Sequence, residues 1–119
     1  MLYKKRIIDR QIKFMLSASG ALLIEGPKWR GKTTSAKQIA NSFIEMDNPR
    51  SRDSNINFAK IAPEIILDGE VPRLIDEWQV APILWDAVRH EVDRRSQMGQ
   101  CILTGSYIPM DSSEIIHSG

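Results

Sequence analysis

Apolar residues at Ile8, Ile12 and Met15 recur at intervals of four and three, which lays one stripe along a helix over residues 1–18. Ser19-Gly20 interrupts it, and the compact apolar run from Ala21 to Glu25, bounded by glycines, predicts a short buried strand. A helical period returns from Lys32 to about Asn41, with Ala36, Ile39 and Ala40 on one face. Phe43 to Asp47 reads as a second strand, stopped by Asn48-Pro49. The segment NPRSRDSN that follows is polar and rich in turn formers, and predicts a loop. Ile56–Ile61 and Pro63–Leu67 predict two short helices, the second with proline in its first turn and Gly69 as its stop. Pro72 introduces RLIDEW, a strand whose apolar residues end in two carboxylates. A long helix is predicted from Ala81 to Gln97, with Leu84, Val88 and Val92 facing inward, Arg89, Asp93 and Arg95 outward, and Gly99 as its break. The last predicted strand is Gln100–Leu103, ending in TGS. Such alternation predicts an α/β sandwich of three layers, a parallel sheet with helices on both faces.

Composition changes this picture little. The chain has 119 residues, 42% hydrophobic and 26% charged, which suits one globular domain over 1–119. Its apolar runs are far below the ~20 residues needed to span a bilayer, and no charged-then-apolar leader opens the sequence. A cytoplasmic protein without a membrane role is therefore expected. Net charge is +1 but unevenly spread: Lys4, Lys5, Arg6, Arg10 and Lys13 oppose only Asp9, so residues 1–13 carry +4 and the remainder −3. A basic start can serve nucleic acid, but here the cations read as the solvated back of an amphipathic helix. The single cysteine, Cys101, sits in CILTG and reads as a buried core thiol.

Candidate chemistry begins at GPKWRGKTT, residues 26–34, which has the spacing G-x-x-x-x-G-K-[ST] between a predicted strand and a predicted helix. Gly26 and Gly31 let the backbone fold around an anion, so that successive N–H groups face phosphate oxygens. The start of the helix adds the positive end of its dipole. Lys32 is placed for the β- and γ-phosphates, Thr33 offers a hydroxyl to Mg²⁺ and Thr34 a donor to the α-phosphate. Pro27, Lys28, Trp29 and Arg30 complete the loop. Lys28 and Arg30 contribute at least to its field, while Trp29 is read as packing on its neighbours in preference to a base.

A second motif is RLIDEWQ, about forty residues downstream. In a parallel sheet its strand ends on the same edge as the loop, which directs Asp76 and Glu77 toward a bound γ-phosphate. Asp76 fits a hard Mg²⁺ ion, and Glu77 fits a base that deprotonates water. Trp78 and Gln79 are read as structural. In ILTGS, Thr104 and Ser106 either donate to the γ-phosphate or attacking water, or belong to a plain Thr-Gly-Ser turn. His90 and His117 read as surface residues.

GPKWRGKTT, RLIDEWQ and LTGS, in this order, resemble the Walker A, Walker B and sensor-1 motifs of AAA+-type P-loop ATPases. ALLIEGPKWRGKTT and PRLIDEWQVAPILWDAVRHEVD are similar to bacterial and archaeal ATPases with an AAA-type domain followed by a C-terminal domain of unknown function. The likeness runs from about residue 4 to 119. It implies a sheet ordered 5-1-4-3-2, ATP or ADP with Mg²⁺ as ligands, Lys32 and Thr33 at the phosphates and metal, Asp76 at the metal, Glu77 as catalytic base, and Thr104 and Ser106 in the sensor region. Proteins of that kind continue through a fifth strand, an arginine finger or second sensor, and a helical lid, whereas this sequence stops at IIHSG. The expectation is thus an ATPase module truncated before the fifth strand, with an open sheet edge available for self-association. Its rivals are a non-catalytic nucleotide switch and a P-loop kinase. The glutamate after Asp76 speaks against the kinase, favouring water over a substrate hydroxyl as acceptor.

Overall fold

The computed structural model describes residues 2–27 and 30–107, with side chains described for 10–26 and 34–106. In chain order the elements are α1 (Leu2–Ala18), β1 (Ala21–Pro27), α2 (Arg30–Ile39), β2 (Ser42–Glu45), α3 (Arg52–Ile61), α4 (Pro63–Leu67), β3 (Arg73–Asp76), a 3₁₀ turn (Trp78–Val80), α5 (Leu84–Arg95) and β4 (Cys101–Tyr107). The strands form one parallel sheet in the order β1-β4-β3-β2. This is the expected three-layer α/β arrangement, consistent with a P-loop NTPase-like fold.

Alternation along the central strands divides the core in two. Leu74 and Ile102 face Ile12 and Leu16 of α1 and Ala36 of α2. Ile75, Cys101 and Leu103 face the opposite way, toward residues of α3, α4 and α5 such as Ala59, Ile66 and Val88. Because both faces are covered, Leu74–Ile75 of β3 and Cys101–Leu103 of β4 are apolar up to Asp76 and Thr104 at the C-terminal edge. Cys101 is a core thiol as expected, and its burial raises its pKa.

Several boundaries differ from the sequence reading, each for a local reason. The stripe of α1 runs through Ile12 and Leu16, 4% and 5% exposed, whereas Met15 is 47% exposed. An i, i+4 row, not i+7, faces the sheet. Within NPRSRDSN the loop is confined to a turn in which Asn48 Oδ1 accepts from Arg50 N, and α3 already begins at Arg52. The buried Asn55 does helical work there, donating to Glu45 O at 3.1 Å and to Ser51 Oγ at 3.3 Å. The helix predicted over 81–97 is shorter, Leu84–Arg95, and is preceded by the 3₁₀ turn; Ser96, in left-handed conformation, ends it before Gly99. Arg95 points partly inward instead of outward, its Nε donating to Glu91 at 2.7 Å and its Nη1 to Gln100 at 3.2 Å.

β4 continues through Thr104, Gly105 and Ser106 to Tyr107, so the Thr-Gly-Ser turn is not formed. Lying between β1 and β3, this strand finds backbone partners on both sides and has no reason to turn. Arg73 is a buried cation within β3; its Nε donates to Ile66 O at 2.6 Å and its Nη1 to Ser42 Oγ at 3.2 Å. Desolvation lowers its pKa and the charge of Asp68 opposes that shift. Among the described residues no helix is long and apolar enough to cross a membrane.

Candidate nucleotide site

Parallel pairing brings the C-terminal ends of the strands to one edge. Register places Gly26 of β1 opposite Ser106 of β4, Thr104 opposite Asp76 of β3, and Asp76 opposite Glu45 of β2. The loop after β1 is short, since α2 begins at Arg30, three residues beyond Pro27. The strand–loop–helix context of GPKWRGKT is therefore present, with Lys32 and Thr33 in the first turn of α2. Ala36 seals this helix onto Leu74 and Ile102, which fixes its N-terminus beside the strand ends. Gly26 is buried and Thr34 half-buried. Lys28 and Trp29 lie outside the described residues, and Pro27, Arg30, Gly31, Lys32 and Thr33 are described by backbone alone.

The acid pair closes the opposite side of this edge. Asp76 is the last residue of β3 and 6% exposed; the buried Thr104 hydroxyl donates to its Oδ1 at 2.5 Å. Glu77, 7% exposed, leaves the strand in a left-handed conformation with φ 57° and ψ 51°. A residue with a Cβ is held there at a cost of about 1–3 kcal/mol, a cost that the surrounding contacts must offset. Ser106 Oγ lies 2.7 Å from Glu77 Oε1 and 2.9 Å from Oε2, and Gln79 Nε2 donates to Oε1 at 2.6 Å. Thr104 and Ser106 thus each hold one acid, a pairing that their reading as phosphate or water donors did not contain. Two neighbouring carboxylates are held by different hydroxyls at one end of the sheet.

Gln79, read from the sequence as structural, instead bonds one of the acids. It is exposed, and its bond exists because the left-handed turn at Glu77 brings residues 77 and 79 together. Trp78, between them, packs against Trp85 with ring centroids 5.4 Å apart and an interplanar angle of 41°, and its buried Nε1 has no hydrogen-bond partner among the described residues. Ser35 Oγ, fully buried on α2, likewise has no partner among the described residues. Toward the edge of the sheet, Lys37 of α2 meets Glu45 at 2.9 Å and lies 4.5 Å from the centre of the Phe43 ring. A groove of about 800 Å³ between α4 and α5, lined by Leu67, Ile83 and His90 among others, contains none of the candidate residues. His90 is exposed, and His117 lies outside the described residues.

A family model described as an AAA domain matches residues 5–118. No curated protein and no solved structure matches the chain.

Proposed function

This chain belongs to the AAA domain family, and from that premise we propose that it binds ATP with Mg²⁺ where β1 meets α2 and hydrolyses it, coupling the reaction to a conformational change. The observation that carries the reading is the acid pair at the end of β3, in register with the Thr104–Ser106 segment that itself pairs with Gly26. Backbone N–H groups of the loop from Gly26 to Gly31 and the start of α2 cradle the phosphates. Lys32 adds a point charge at the β- and γ-phosphates.

The donor set fits a hard divalent cation. Asp76 offers carboxylate oxygen from a buried strand end, and Thr33, in the first turn of α2, is the companion hydroxyl. When bound, the ion would neutralise charge on the phosphate oxygens. Glu77 orients the water that attacks the γ-phosphorus and takes its proton, while ADP leaves with the electrons of the broken P–O bond. Thr104 holds Asp76, and Ser106 holds Glu77.

Steady-state turnover tests this reading. Glu77→Gln keeps shape and removes the base, so it should retain nucleotide binding and lose most of the hydrolysis rate. Hydrolysis by Glu77→Gln at the parental rate would sink the assignment.

A further inference from the structure

We propose that Gln79 is a positioning residue, which together with Ser106 sets the orientation of the Glu77 carboxylate; the inference rests on the reading of Glu77 as the base. Glu77 is buried, and a buried carboxylate needs donors. Two of them come from independent parts of the fold. Ser106 belongs to β4, where pairing with Gly26 fixes its height along the sheet. Gln79 belongs to the 3₁₀ turn that follows β3 and reaches back to Oε1 at 2.6 Å. Ser106 contributes one hydroxyl, within reach of both carboxylate oxygens. A second donor from a different element fixes its plane.

The amide orientation follows from its surroundings. Gln79 Nε2 faces Glu77 Oε1 and, at 3.4 Å, the backbone oxygen of Ser106, both of them acceptors. The opposite flip would set oxygen against oxygen at each contact. Gly105 makes room for this seat: a Cβ there would lie 3.0 Å from Gln79 Oε1 and 3.0 Å from Trp78 Nε1. Gln79 is itself exposed, so its removal takes little packing from the core. Its effect is therefore expected in the rate and not in the folding of the domain.

Four measurements test the inference. Gln79→Ala should lower kcat by about 10- to 100-fold, because misplacing a reacting group is that costly, while KM for ATP changes little. In the Glu77→Gln background the same substitution should have no further effect, since it acts through the carboxylate. Gln79→Glu, which cannot donate when ionised and sets like charges together, should be no better than alanine. Independently of turnover, the side-chain amide resonances of Gln79 should move in both Glu77→Gln and Ser106→Ala. Parental kcat in Gln79→Ala, where Glu77→Gln is inactive, would overturn the positioning role and leave the base assignment standing. Parental turnover in Glu77→Gln would remove the base and this inference with it. A rise in kcat for Gln79→Ala would also overturn it, as would amide resonances unmoved by either neighbour's substitution.

Discussion

Thr104 and Asp76 couple a buried hydroxyl to a buried carboxylate, and this pair allows a clean substitution. Thr104→Val keeps the shape and deletes the donor at 2.5 Å from Oδ1. The loss of a hydrogen bond to a charged group should destabilise the domain by about 1.5–3 kcal/mol in urea denaturation at neutral pH. A variant as stable as the parent would show that this bond contributes nothing net. At the loop, a hundredfold excess of Mg·ATP over Kd should stabilise the parent by ~2.7 kcal/mol, and Lys32→Ala should lose most of that gain. Identical thermal shifts for the two proteins would place the phosphates elsewhere. The acids and hydroxyls of this site were legible because each sits inside a contiguous motif at the end of an apolar run. Gln79 was not, because its bond depends on the left-handed φ of Glu77, and nothing in residue type or spacing announces that a glutamate will adopt it.

Elements tell a similar story at larger size. The order of strands and helices could be read from periodicity, since β1, β3 and the start of β4 are apolar runs bounded by glycine or proline. Extents were misread where tertiary contacts override local character: polar residues open α3 because Asn55 has backbone partners in β2, and Gly105 remains in β4 because two strands flank it. Within α5, Glu91 accepts from Arg94 Nη2 at 2.6 Å and from Arg95 Nε at 2.7 Å. Hydrogen bonds from Arg94 and Arg95 lower its pKa from 4.5 to about 2. The group binds its proton less readily folded than unfolded, so its stabilisation is present above about pH 4.5 and fades as pH falls toward 2. Melting temperatures across that window should fall more for the parent than for Glu91→Gln. Parallel pH profiles would show that solvent screens the cluster completely. Where α5 crosses the start of β1, a Cβ on Gly20 would come within 2.1 Å of Val92 Cγ1. Gly20→Ala should therefore cost about 1–3 kcal/mol as α5 is pushed away, and the double variant with Val92→Ala should recover part of the loss in the same denaturation assay.

For the molecule as a whole, the edge of the sheet is the place to test for self-association. Among the described residues β1, seven residues long, pairs only with β4, and no described strand lies on its other side. Beside it runs a shallow apolar groove formed by Ala21, Leu23, Val88 and the 43%-exposed Trp85. An open edge next to apolar surface invites pairing. Solution mass should therefore rise with concentration in sedimentation, and Trp85→Glu should return the chain to monomer. A parent that remains monomeric up to its solubility limit would refute this use of the edge. Trp85 has one more consequence, and it is optical. Its indole lies within 5.4 Å of Trp78, inclined by 41°, and Trp78 is the residue between Glu77 and Gln79. Two transition dipoles so close and so inclined couple as an exciton, giving a paired circular-dichroism band whose size depends on their mutual angle. Any displacement of the turn that carries Glu77 is thereby written into the spectrum of the unlabelled protein, and Trp85→Phe should erase the couplet.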